Sequence, residues 1–175
     1  MAKELIPNHT TATVKIHIRP GGYNEISQGW TNGFASRSAS GSVYLNAEFT
    51  LLDGKYAGQK IFNVIGLRSP KNAHWGSKGR IFLRDIINSS YGLQPEDCSS
   101  SAQKARELRN IGDIDGLKFR ALIKISKNQS GRAENVIDKA IMPDTHEPIS
   151  PAKKLLRRDI STATSDRTKT PQWVK

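Results

Sequence analysis

Val43-Tyr44-Leu45-Asn46-Ala47-Glu48-Phe49-Thr50-Leu51 alternates apolar and polar residues without a break. That is the period of two of a strand with one face in a core. Asp53-Gly54-Lys55-Tyr56-Ala57-Gly58 follows as a turn with two glycines, and Lys60 to Leu67 resumes as a second strand carrying Ile61, Phe62, Val64, Ile65 and Leu67. Two strands of this length need a second layer to be stable. The remaining segments are expected to supply it.

Two further alternating stretches flank the hairpin. Thr11 to Arg19 sets Ala12, Val14, Ile16 and Ile18 against Thr13, Lys15, His17 and Arg19, and Pro20-Gly21-Gly22 stops it. Leu117 to Ser126 sets Leu117, Phe119, Ala121, Ile123 and Ile125 against Lys118, Arg120, Leu122, Lys124 and Ser126. After a hairpin loop at Lys127 to Arg132, Ala133 to Met142 reads as the last strand. Gly21 to Ser42 reads as a long connection whose Tyr23, Trp30 and Phe34 form a lid over the core, contact a ligand, or both. Between the third and fourth strands, the second part of Ala73 to Tyr91 predicts a helix with Phe82 and Ile86 inward, joined by Leu83 and Ile87, and Gly92 as its C′ residue. Gly76 and Gly79 blur its start. Ser100 opens a second helix to about Asn110 through a capping box with Gln103; Ala102, Ala105 and Leu108 face in, Arg106 and Arg109 out.

The expected fold is mainly β: a five-stranded OB-fold barrel with one or two helices between strands three and four. A flat α+β sheet is the alternative. Residues 1–10 form a lead-in, 11–143 the barrel domain and 144–175 a disordered basic tail.

The chain has 175 residues and a net charge of +11. Residues 1–95 hold eleven Lys/Arg against five Asp/Glu, residues 96–150 nine against nine, and residues 151–175 seven against two. An excess confined to the first half and the tail points to a polyanionic partner. No apolar run approaches the ~18 residues of a membrane span, and the first twenty residues lack a signal-peptide core. No membrane partner and a cytoplasmic location are therefore expected. The single cysteine, Cys98, excludes an intramolecular disulfide and a cysteine-based zinc cluster.

Leu52-Asp53-Gly54-Lys55-Tyr56-Ala57-Gly58-Gln59-Lys60-Ile61-Phe62 resembles the strand–turn–strand of a phage and mobile-element family of single-stranded-DNA-binding proteins. Ser69-Pro70-Lys71-Asn72, Gly79-Arg80-Ile81-Phe82-Leu83, Gly116-Leu117-Lys118-Phe119 and Asn135-Val136-Ile137 fall where that family carries its later motifs. The segments at Ile18 to Tyr23 and Gln28 to Thr31 are similar to those of plasmid-borne and integrated bacterial members. The resemblance spans about residues 12 to 143. It implies an OB-fold and sequence-tolerant strand binding in replication or recombination. The basic tail departs from the acidic tips by which many single-strand binders recruit partners.

Single-strand binding needs cations along the phosphates and flat side chains under the bases. In an OB barrel the usual surface is strands two and three with the loops joining strands 1–2 and 4–5. The candidates there are Arg19, Tyr23, Trp30, Phe34, Arg37, Tyr44, Lys60, Phe62, Arg68, Lys71, Trp75, Lys78, Arg80, Lys124, Lys127 and Arg132. Phe62 could equally fill the core, and Trp75 could cap the helix against the barrel. The expected partner is single-stranded DNA, with a recombinase or replication protein met through the tail; a homodimer is left open. Trp173, alone in that polar tail, is a further candidate for such docking. No cofactor is expected, and no enzyme: His9, His17, His74 and His146 lack metal-site spacing, and no phosphate-binding loop is present. The alternatives are an RNA-binding OB module or a divalent-metal nuclease that gathers Glu48, Asp53 and Asp85.

Overall fold

Thr10–Arg19 (β1) has neighbours on both edges, and they are staggered. Its later part, Val14–Arg19, pairs antiparallel with Leu51–Asn46 of Val43–Leu51 (β4). Its earlier part, Thr10–Lys15, pairs antiparallel with Ile123–Lys118 of Lys118–Lys127 (β6). A strand whose two partners are offset in this way curls the sheet around its inner row, here Ala12, Val14, Ile16 and Ile18, all buried. The structure, a computed structural model, describes residues 4–142.

The remaining strands are Tyr23–Glu25 (β2), Trp30–Arg37 (β3), Lys60–Arg68 (β5) and Ala133–Ala140 (β7). The sheet runs β2-β3-β4-β1-β6-β7, with β5 on the other edge of β4. It is antiparallel throughout. Among the described residues there are seven strands where five were expected. The two extra strands lie in the stretch predicted as an unstructured connection. There Ile26–Gln28 makes a 3-10 turn between β2 and β3, and Gly29 takes a left-handed conformation (φ 72°) to re-enter β3.

The curl brings β7 toward β5 without a backbone ladder between them. The Asn63 side chain bridges the gap. Its Nδ2 donates to the Ile137 carbonyl and its Oδ1 accepts from the Ile137 amide, both at 3.2 Å. Inside, Phe49 packs against Phe119 edge-on at 5.9 Å and against Phe82 at 6.3 Å. Ile6, in the predicted lead-in, is fully buried: Asn135 bonds both its amide and its carbonyl at 2.8 Å.

Ala73–Tyr91 (α1) is helical over its whole length, with Asn72 capping its start and Gly92 its end. Gly76 and Gly79, read as a weak start, are instead where the helix touches the sheet. A Cβ on Gly79 would overlap the Gly66 carbonyl, and one on Gly76 would lie 2.9 Å from the Leu67 carbonyl. Leu83, Ile86 and Ile87 are buried and Phe82 is partly so. Ser100–Arg106 (α2) is shorter than expected, and its N-cap is Ser99 rather than Ser100. Arg106 faces in, not out, and is 3% exposed. It donates to Asn88 Oδ1 and the carbonyls of Gln94 and Asp97, so it ties down the segment between the helices. Among the described residues no helix is long and apolar enough to cross a membrane. The predicted tail, 144–175 with Trp173, lies outside the described residues.

Asn63→Ala should cost roughly 2 kcal/mol, because it strips partners from the Ile137 amide and carbonyl. Urea denaturation measures this, and unchanged stability would show that the two strands are held by other contacts.

Candidate functional site

The register that buries the inner rows also builds the outer ones. Arg19 lies beside Asn46 and Asn46 beside Val64; His17 lies beside Glu48 and Glu48 beside Phe62. Lys15, Thr50 and Lys60 form the next row. Two apolar side chains on this face stay open to solvent: Phe62 is 52% exposed and Val64 57%. Exposed large apolar neighbours mark an interaction surface when they sit in a concavity. These two line a groove of about 740 Å3 together with Arg19, Pro20, Asn46, Ala47, Asn63, Glu134 and Val136. The Arg19 guanidinium lies 5.9 Å from the Phe62 ring centroid, within cation–π range. Arg19 and Pro20 line it where the chain leaves for the β2–β3 hairpin. Glu134 lines it just past the loop joining β6 and β7.

The charges around it are largely organised by the protein. Lys60 Nζ is 2.6 Å from Glu48, and its hydrogen bond holds the Glu48 carboxyl below the ordinary carboxylate value. Lys124 is ion-paired with Asp138. His17 Nδ1 lies 3.1 Å from Asp115. Lys127 and Arg132 are exposed on either side of the β6–β7 loop, and Lys71 and Lys78 are exposed around the start of α1.

The structure therefore divides the predicted binding residues. Arg19 and Phe62 come together in the groove, and Tyr44 and Lys60 share its face. Trp30 does not: it is 2% exposed and belongs to the core. It lies under Arg68, whose guanidinium is 5.2 Å from the ring centroid. Arg68 in turn grips Glu25 with two hydrogen bonds, 2.8 and 2.6 Å. Tyr23 donates to the same carboxylate at 2.9 Å, and Arg37 stacks over Tyr23 at 5.5 Å. These side chains fasten the β2–β3 hairpin to the sheet. The Phe34 ring packs against Gly112, and Trp75 covers Gly66, where a Cβ would lie 2.6 Å from the indole. Arg80 donates to the Leu67 carbonyl and, at 3.2 Å, to Ser77 Oγ. Trp30, Phe34, Arg68, Trp75 and Arg80 are thus occupied in packing or internal bonding.

Val64, Asn46, Asn63, Val136, Glu134 and Pro20 line the groove without having been predicted to. Val64 was legible, since it follows Phe62 by two residues on the same face. Val136 and Glu134 reach the groove through the approach of β7 to β5, which leaves no local trace in the sequence.

The carboxylates of the metal-nuclease alternative do not gather. Glu48 is held by Lys60, Asp53 accepts from the Thr13 amide at 2.9 Å, and Asp85 lies on α1, its carboxyl pushed up by burial. Among the described residues no three His, Cys, Asp or Glu side chains cluster as a metal site. No protein-family model matches this chain, and no curated protein matches it.

The hydrogen bonds from Arg68 hold the Glu25 carboxyl below its ordinary value of 4.5. A depressed carboxyl stabilises the fold fully above its unfolded pKa, and that contribution is lost as pH falls through the lower folded value. Glu25→Gln should remove about 1 kcal/mol at neutral pH, a small figure because Arg68 is 43% exposed and the pair is screened. Its stability should also fall less steeply than that of wild type below about pH 4.5. Thermal melts across that range measure both; parallel pH profiles for the two proteins would contradict the pairing.

Proposed function

We propose that the chain is an OB-fold nucleic-acid-binding protein whose groove takes unpaired bases. In this reading the five barrel strands are β1, β4, β5, β6 and β7, and the β2–β3 hairpin is an insertion between the first two. The helices precede the fourth, as the OB order requires. More particularly, it is a single-stranded-DNA-binding protein of the phage and mobile-element kind, serving replication or recombination. The motif resemblance at Leu52 to Phe62 supports that narrower reading.

The observation that carries the proposal is the half-exposed Phe62 ring, with Arg19 over it, in a groove on the second and third barrel strands. An exposed phenyl ring is costly to keep in water unless something covers it, and a base presents a flat face of matching size. The guanidinium beside the ring adds a cation for base or phosphate. The exposed Lys71, Lys78, Lys127 and Arg132 would meet the backbone outside the groove, each contact adding about 0.7 to the salt slope. Binding of this kind is tolerant of sequence, because every base has a π-face, and it assigns no catalytic residue. A replication or recombination protein would be met through residues 144–175.

Fluorescence anisotropy with oligo-dT, oligo-rU and duplex DNA at two salt concentrations tests the reading. Single-stranded DNA should bind most tightly, and more weakly as salt rises. Phe62→Ala should weaken oligo-dT binding roughly tenfold, the worth of one stacked base, and leave the fold intact. Trp30→Ala should instead lower the melting temperature. Unchanged oligo-dT affinity in folded Phe62→Ala would overturn the groove as the site, and preferential rU binding would reassign the protein to RNA.

A further inference from the structure

We propose that the groove favours guanine on the Phe62 ring, with Glu134 reading its Watson–Crick edge and Arg19 its major-groove edge. This rests on the reading of the groove as a site for unpaired bases. The starting observation is a carboxylate where a phosphate-binding cleft would have none. The groove lining carries a single cation, Arg19, and a single carboxylate, Glu134; the rest is Phe62, Val64, Val136, Pro20, Ala47 and two asparagines. A lining of one charge of each sign, with rings and aliphatic walls, suits an uncharged planar group better than a phosphate.

The asparagines narrow the choice. Asn63 has both ends of its amide engaged by the Ile137 backbone. Asn46 donates its amide nitrogen to Ser36 Oγ at 3.2 Å. Glu134 is exposed and accepts a bond of 3.4 Å from Asn128, at the long end of the range. The charged groups offered to a ligand are therefore the Glu134 carboxylate, an acceptor, and the Arg19 guanidinium, a donor.

A carboxylate accepts through two oxygens side by side. Guanine alone among the common bases presents two adjacent donors, N1–H and the N2 amino group, on one edge. Its other edge presents two adjacent acceptors, O6 and N7, the pair that arginine recognises. Cytosine and adenine place an acceptor next to their amino group, which repels the second carboxylate oxygen. Thymine and uracil set a single N–H between two carbonyls. A stacked base that also satisfies both charges of this groove is guanine.

Anisotropy of the full chain with dT oligomers of about fifteen nucleotides, near the upper site size of one OB fold, tests this. Each oligomer carries one central dG, deoxyinosine, dA, dC or dT. The dG oligomer should bind about tenfold more tightly than plain dT, the value of one bidentate pair. Deoxyinosine, which keeps O6, N7 and N1–H but lacks the amino group, should lose most of that gain. In Glu134→Gln the dG-to-dT ratio should fall toward one. Equal affinities for the five oligomers in wild type would overturn guanine selection, a dG preference that survives Glu134→Gln would overturn its reading by Glu134, and either would leave single-strand binding standing. Failure of wild type to bind any oligomer would overturn both.

Discussion

Two hydrogen bonds between the Asn63 side-chain amide and the Ile137 backbone, one donated by each, join β5 to β7, which no strand pairing does among the described residues. This curled sheet leaves β5 and β7 without a ladder between them, yet each buried backbone amide and carbonyl there needs a partner. The chain meets that constraint with short side chains. Asp53 accepts from Thr13 where β4 turns away, and Asp115 accepts from Ile18 at 2.7 Å where β6 has not yet begun. Asn8 accepts from Ile125, and Asn24 from Gly33. Asp and Asn reach backbone groups one strand away without a second strand being present. The curl is thus set by the stagger of β1 and made tolerable by these substitutes for ladder bonds.

The same curl makes the groove. It swings the outer residues of β7, Val136 and Glu134, toward those of β5, Phe62 and Val64. The inner residues of the same strands, among them Ile61, Ile65 and Ile137, meanwhile join the core that holds Phe49. At the other end of the sheet, Arg68 lies between Glu25 and Trp30 and fixes the hairpin. On the helical side Arg106 does a comparable job for the connection between α1 and α2. Both arginines use a rigid, many-donor fork to hold irregular chain, a role for which a lysine has too few fixed donors.

Where the physics is local, the sequence disclosed it. The alternation at Val43 to Leu51 marks inner and outer faces residue by residue, and the structure keeps both. Gly92 ends α1 in the left-handed conformation that its position implied. What stayed hidden depends on partners distant in the chain. Gly, Ser and Asn between residues 21 and 42 masked two strands, because the ladder bonds that form them are supplied by β4 and by each other. Nothing near Trp30 says that Arg68 will cover it, and nothing near Phe62 says that it will be left open. Gly76 and Gly79 read as helix-weakening, yet their lack of a side chain is what lets α1 lie on Gly66 and Leu67.

The cations show how far net charge can mislead about a site. A total of +11 favours a polyanion, but Arg68, Lys60 and Lys124 each have a carboxylate of this protein as neighbour. Each such pair is neutral overall and adds little to the field that, in the proposed reading, would draw a strand in from a distance. The paired cations would add little to contact as well, since forming a new ion pair would mean breaking an old one. In that reading encounter and phosphate contact fall to the exposed rim lysines and arginines, and stacking to the open ring of Phe62. Encounter and stacking would then rest on different residues. Salt should act on the first through screening and counterion release, and on the second hardly at all, because stacking does not depend on ionic strength.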